Sequence, residues 1–343
     1  MSRLGERISR LSESPRLRLI LPLLLLAVLA LLPAFNLDAN ATRLLFITFV
    51  WVTTSVAWNL LGGFAGQISF GFAVFYGLGA YATALMIQSG ISPYISFAGG
   101  AAVAALASFL IGLPTFRLRG PYFAIATIGV SEAVRVVMDN LSITGGASGF
   151  RIVEHRQFRQ VEHYWTALAL AAIAVAVSLF ISHRRFGLGL IAIRQDETAA
   201  ADLGLNPFSY KLAAHAVAAA FTGAAGGVYA RYAAYIHPHG VFAFQTSVYI
   251  LLMPVIGGIG TVWGAVLGGV IFGIVEEELV ANFPQIHLLL YGSLLILIIL
   301  VEPDGVLGLL KKLFWRILGE RQPAVDDLES RESDEILRGT GGA

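Results

Sequence analysis

Apolar runs follow one another along almost the whole chain, most of them close to the 20 or so residues a helix needs to cross about 30 Å of hydrocarbon. Candidate spans fall at 19–35, 43–61, 64–88, 94–114, 121–138, 165–182, 210–234, 246–258, 262–282 and 285–302. Of the 343 residues 57% are hydrophobic and 13% charged, against roughly a quarter charged in a soluble domain. Backbone N–H and C=O groups have no water to bond in a bilayer, so such runs must be helical. The expected fold is all-α: a polytopic transmembrane bundle of about ten spans, with two Gly-interrupted helices and one short helix in a polar loop.

The net charge of +1 gives no overall basic field for nucleic acid, so the position of the cations carries the information. Seventeen of the 23 lysines and arginines lie where ten crossings put the cytoplasm: Arg3, Arg7, Arg10, Arg16 and Arg18, then Arg117 and Arg119, then Arg184, Arg185, Arg194 and Lys211, then six from Lys311 onward. Four fall outside, at Arg43, Arg151, Arg156 and Arg159. The bias predicts a multi-pass protein of a bacterial inner membrane with both termini cytoplasmic. Residues 1–18 read as a cytoplasmic N-terminus, 19–310 as the transmembrane domain and 311–343 as a largely disordered cytoplasmic tail. The arginine-rich start before Leu19–Phe35 imitates a secretory signal, but the spans that follow favour an uncleaved first crossing. Segment 139–164 is the long external loop.

Two stretches break the apolar pattern, 62–71 and 254–264. Each carries a Gly-Gly pair, another glycine, a hydroxyl residue and a further glycine: Gly62, Gly63, Gly66, Ser69, Gly71 and Gly257, Gly258, Gly260, Thr261, Gly264. Matching interruptions suit an internally repeated transporter with its substrate route beside unwound backbone. Gln67, Ser69 and Thr261 are neutral groups able to line that route, or else to bond helix to helix. Glu132 is the ionisable candidate for recognising an ammonium group; Arg135, three residues on, is its expected partner on the same face. Arg231 is expected to snorkel to the interface.

The loop 183–211 has helical signals of its own. Asp196 can cap a helix over Thr198–Leu203, Glu197 suits its first turn, and Gly204 with Asn206-Pro207 ends it. A helix of about seven residues spans ~10 Å and is marginal alone in water, so it needs a surface to dock on. Ala200 and Gly204 share a small face, and Arg194, Asp196, Glu197 and Asp202 offer polar contacts.

Here the chain resembles permease subunits of ATP-binding-cassette importers, whose coupling helix carries Glu-Ala-Ala, three residues and Gly. Ala199, Ala200 and Gly204 match the last three positions; Thr198 stands at the Glu position and Glu197 one residue early. More narrowly it resembles the longer permease subunit of branched-chain amino acid importers, from about Trp58 to Leu310. The motifs are Trp58-Asn59-Leu60, Gly66-Gln67-Ile68-Ser69-Phe70-Gly71, Arg117-Leu118-Arg119-Gly120-Pro121-Tyr122-Phe123-Ala124, Thr144-Gly145-Gly146, Ala192-Ile193-Arg194-Gln195-Asp196-Glu197 and Gly257-Gly258-Ile259-Gly260-Thr261-Val262-Trp263-Gly264. The resemblance implies a homologous second permease subunit, two ATP-binding subunits that use the ATP, and an extracytoplasmic solute-binding protein.

The chain's own chemistry fits that division. A P-loop sets Lys after Gly, whereas Lys211, Lys311 and Lys312 follow Tyr210, Leu310 and Lys311. With no cysteine there is no thiolate metal site, and His237 and His239 lack a third ligand, so no metal or cofactor is expected on this chain. An ion-coupled secondary transporter or channel is the alternative, disfavoured by spans nearly free of central charge. An intramembrane serine protease of the rhomboid type is more remote: Gly146-Ala147-Ser148-Gly149 fits its motif, but His215, in a later span, is expected near the opposite membrane face.

Overall fold

The computed structural model describes residues 24, 26–35, 38–118, 120–153, 159–283, 286, 289–290, 292–293 and 305–318. The expected N-terminus 1–18, Arg119 and most of the span 285–302 lie outside them; of the tail expected to be largely disordered from 311, residues 311–318 belong to a helix that starts at Gly305, and the rest lie outside. The chain is an all-α polytopic bundle. Its helices are α1 (Ala39–Asn59, continued by a π-helical turn Leu60–Phe64), α2 (Phe72–Gln88), α3 (Pro93–Thr115), α4 (Pro121–Asn140), α5 (Gln160–Ser182), α6 (Arg185–Gln195), α7 (Glu197–Asp202), α8 (Pro207–Ala233), α9 (Phe244–Gly257), α10 (Val262–Asn282) and α11 (Gly305–Leu318). Among the described residues six helical stretches are long and apolar enough to cross a membrane, and α2 is a shorter apolar helix.

Local signals account for the boundaries. The Asp38 side chain accepts from Ala41 N at 3.1 Å to start α1, and Asn206 does the same for Ser209 N at 3.2 Å ahead of α8. Pro93, Pro121 and Pro207 stand in first turns, where their missing N–H costs nothing. The span expected at 64–88 becomes helical only at Phe72, because the backbone from Ala65 to Gly71 is irregular.

α1 and α8 form the centre. In α1 the most apolar window is 78% buried, and Trp58, Leu60, Leu61 and Phe64 at its end join Phe72, Phe75, Ala214 and Ala218 in one cluster. α2, α3 and α8 pack backbone to backbone. A Cβ on Gly79 would lie 2.1 Å from Gly223 O, one on Gly226 would lie 2.0 Å from Tyr76 O, and one on Gly100 would lie 2.7 Å from Gly79 O. Small residues allow this closeness, and dispersion contacts replace a hydrophobic drive that lipid cannot supply. α4 is the opposite case, only 22% buried in its apolar window.

The bundle has two unlike ends. One carries α6, α7, the interruption after α1 and the loop between α9 and α10. The other carries the 141–153 loop and the start of α9. There Phe150–Arg151 pairs antiparallel with Tyr235–Ile236, a two-residue ladder the all-α reading did not contain. Two 3-10 turns, Ser142–Thr144 and Gly146–Ser148, precede it.

Candidate functional site

α6 seats the polar loop on the bundle. Leu190 and Ile193 face inward, 0% and 3% exposed, beside the π-turn and α8. Asp196 is extended, with φ −154°, so it ends α6 and caps α7 by accepting from Thr198 N at 2.8 Å and Ala199 N at 3.0 Å. Such a cap is worth about 1 kcal/mol, too little for a six-residue helix, and two further contacts hold it. Lys211 Nζ donates to Glu197 Oε2 at 2.6 Å, and Ala200 is 3% exposed. Gly204, with φ +88°, turns the chain out of α7 with open space where a Cβ would stand.

This arrangement revises the contacts expected of the loop. Ala200 faces its own chain, not outward together with Gly204, because the short helix needs an apolar anchor. Glu197 bonds Lys211, and Asp196 spends its carboxylate on the cap. Thr198, Ala199, Asp202 and Gly204 stay exposed, and so does Leu203, at 85%. Leu203 was not singled out from the sequence, although an apolar residue beside Gly204 in a polar loop was the available signal.

Arg194 also turns inward. Its Nη1 donates to Gly63 O at 2.7 Å, inside the π-turn. The second interruption lies against the same place. Asn59, fully buried, accepts from Gly260 N through Oδ1 at 2.9 Å and donates to Thr261 O through Nδ2 at 3.1 Å. Only glycine fits between them: a Cβ on Gly63 would stand 1.8 Å from Asn59 Oδ1, and one on Gly260 (φ +82°) 2.3 Å from Arg194 Nη1. The two interruptions, distant in sequence, are thus one structure, with Gly62, Gly63 and Gly66 on one side and Gly257, Gly258 and Gly260 on the other. Asn59 was read only as part of a motif; a lone amide at the end of an apolar span is the signal that marks it.

The remaining candidates satisfy freed backbone. Ser69, 1% exposed, accepts from Gly71 N through Oγ at 3.3 Å, while its carbonyl accepts from Trp58 Nε1 at 2.9 Å. Thr261 Oγ1 donates to Gly258 O at 2.9 Å and accepts from Gly264 N at 3.1 Å, capping α10. Gln67 is half-buried, and its backbone N–H donates to Leu61 O at 3.2 Å. Thr127 of α4 accepts from Phe70 N at 3.1 Å.

Glu132 stands apart from this group. It lies five residues beyond Thr127, about 7.5 Å of helix rise, and pairs with Arg135, as the spacing predicts. Arg135 also donates to Asp139 Oδ2 at 2.8 Å and contacts His239 Nδ1 at 3.0 Å. At the same end Arg231 does not snorkel: its side chain is 3% exposed and bonds Glu162 Oε1 at 3.0 Å. Ser148 and His215 do not meet. Ser148 O accepts from Tyr235 Oη at 2.7 Å beside the short ladder, whereas His215 is buried with Phe72, Phe75 and Phe116 near the other end.

Comparison with known proteins follows the same line. The family described as "branched-chain amino acid transport system / permease component" matches residues 40–299. The high-affinity branched-chain amino acid transport system permease protein LivM of Escherichia coli K12 is 30% identical over 316 residues, 83% of this chain and 74% of that protein. LivM of Salmonella typhimurium is 31% identical over 318 residues, with the same coverage of 83% and 74%. The permease protein LivH of Escherichia coli K12 is 25% identical over 280 residues, 74% of this chain and 90% of that one. No solved structure matches the chain significantly.

Proposed function

The chain belongs to the branched-chain amino acid transport permease family, and from that premise we propose that it is a membrane subunit of an ATP-binding-cassette importer for branched-chain or related amino acids. It works in an inner membrane, with the α7 end and both termini cytoplasmic, beside a homologous second permease subunit. Two ATP-binding subunits supply the energy, and an extracytoplasmic solute-binding protein delivers cargo to loops that include 139–164. The chain itself makes and breaks no bond. Similarity to both LivM and LivH supports the paired membrane subunits.

The observation that carries the reading is α7. A six-residue helix, capped at Asp196 and tied down through Lys211, presents Thr198, Ala199, Asp202, Leu203 and Gly204 away from the bundle. A soluble partner is what such a face fits: an apolar tip ringed by small and polar groups. Arg117, Arg184 and Arg185 stand exposed at the same end, as the positive-inside bias requires of the cytoplasm.

The solute route runs along the exposed face of α4. Glu132 there is 58% exposed in its side chain, and a carboxylate facing lipid is costly even when paired. The second permease subunit covers that face and shares a polar path with it. Gln67, Ser69 and Thr261 line the cytoplasmic exit once the interruptions open.

The test is reconstitution of the four kinds of subunit in liposomes, with ATP-driven uptake of radiolabelled leucine. Gly204→Trp should abolish uptake and copurification with the ATP-binding subunits while membrane insertion persists. Gly204→Ala carries the same left-handed strain without the bulk and should retain both. Normal uptake by the tryptophan variant would remove α7 as the docking element, and accumulation by this chain alone, without nucleotide, would overturn the importer assignment.

A further inference from the structure

Resting on the importer reading, we infer that Arg194 is the positioning residue that transmits movement of α6 and α7 to both glycine interruptions at once, setting how much solute moves per ATP rather than whether the ATP-binding subunits dock. Three features of its setting carry this.

The first is attachment. Arg194 lies in the last turn of α6, and Asp196 N donates to Ala192 O at 3.1 Å across it. The side chain and the cap of α7 therefore belong to one stiff piece of backbone. Any displacement of α7 by a partner displaces the guanidinium with it.

The second is reach. The stem of Arg194 covers Gly66, where a Cβ would stand 2.8 Å from Cγ, and its head bonds the Gly63 carbonyl and fills the space beside Gly260. One side chain thus touches the π-turn that ends α1, the irregular segment that leads into α2, and the loop that joins α9 to α10. Asn59 ties the first of these to the last through Gly260 N and Thr261 O. A pull on Gly63 therefore reaches Gly260 as well. π-turns are points where a helix ladder is already loosened, and they recur at functional sites.

The third is what Arg194 does not do. α6 is held by Leu190 and Ile193, which are buried, while Arg194 is exposed overall. Its own contribution to the seat of α6 is one hydrogen bond to a neutral carbonyl and the packing of its side chain beside Gly66 and Gly260. The bond is charge-assisted, strong enough to transmit force and weak enough to be remade in each cycle. A planar guanidinium also fits a slot between two backbone segments that a rounded ammonium does not fill.

The experiment uses the complete reconstituted complex and reads leucine taken up per ATP hydrolysed, together with the ratio of copurified subunits. Arg194→Ala should assemble in the wild-type ratio, with uptake per ATP falling roughly tenfold, the scale of one charge-assisted hydrogen bond. Arg194→Lys should fall between the two. Gly260→Ala, which pushes a methyl group into the guanidinium's place, should reproduce the loss with Arg194 present. The chain has no cysteine, so Leu188→Cys on α6 and Ile259→Cys in the α9–α10 loop are its sole spin-label sites, and the partner subunits are used in cysteine-free form. Their separation should stay fixed through nucleotide trapping in the otherwise wild-type chain and change when Arg194→Ala is added.

Wild-type uptake per ATP in Arg194→Ala would overturn the inference, as would loss of the ATP-binding subunits from that variant, which would make Arg194 part of the dock. A wild-type complex without ATP-dependent uptake would instead overturn the importer reading, and this inference with it.

Discussion

Arg231 and Arg194 both stand in the last turn of a helix and both turn their guanidinium groups into the protein, but they meet different partners. Arg231 meets Glu162, a full negative charge on another helix, and its side chain is 3% exposed. Arg194 meets the carbonyl of Gly63. The first contact is costly to break, because the buried Arg231 guanidinium would lose its countercharge in a medium of low dielectric. The second leaves only a neutral carbonyl behind and is cheap to make and unmake. The pattern extends beyond these two residues. The Arg231 end also holds Glu132, Arg135, Asp139 and His239 together, and Arg43 pairs with Glu277 on the same side. The α7 end has one ion pair, Lys211 with Glu197, and satisfies its loosened backbone, apart from the Gly63 carbonyl that Arg194 holds, with the uncharged Asn59, Ser69, Thr127 and Thr261. One end is tied mainly by charge pairs, the other mainly by neutral hydrogen bonds, and the inferred cycle remakes the second.

Substitutions can break or sharpen this contrast. The largest effect is expected from Glu162→Leu, which removes the carboxylate from a buried arginine and should cost about 3 kcal/mol. Thermal unfolding in detergent should drop markedly, while the protein that remains folded transports normally. An unchanged melting point would mean the ion pair anchors nothing. Next comes Asn59→Leu, which orphans Gly260 N–H and the Thr261 carbonyl at about 1–3 kcal/mol. Its melting point should fall less than that of Glu162→Leu, yet its uptake per folded molecule should fall more. The reverse order would dissolve the distinction between the ends. The smallest effect belongs to Ala234→Gly. Ala234 has φ 56°, the one positive value at a non-glycine residue among the described residues, where it ends α8 at the anchored end. Glycine there relieves strain but adds freedom to the unfolded chain, so the net gain should be under about 1 kcal/mol, with transport unaltered. A change in transport would show that this end, too, takes part in the cycle.

Much of the fold was legible. Apolar length located the six long spans seen among the described residues, and Asp196, Gly204 and Pro207 bounded α7 and the start of α8, because caps and breakers act within a few residues. The partnerships were not legible. Glu197 meets Lys211 fourteen residues on, and Arg231 meets Glu162 sixty-nine away. Nothing local selects those pairs. In α1 apolar and hydroxyl residues are mixed on every side, so periodicity does not say which face looks at which neighbour, and Asn59 lay hidden in a motif. Ala200 pointed the wrong way on paper because spacing gives a face and not its direction. The two interruptions were visible as similar text; that one guanidinium spans both is a fact of three dimensions.

The backbone contacts among α2, α3 and α8, where Gly79 lies on Gly223 and Gly226 on the Tyr76 carbonyl, leave no cushion of side chains between those rods. Gears meshed that tightly do not slip. A twist applied at the foot of α2 carries α8 with it, and a single added methyl group at Gly226 would seize the train where a looser joint would only rattle.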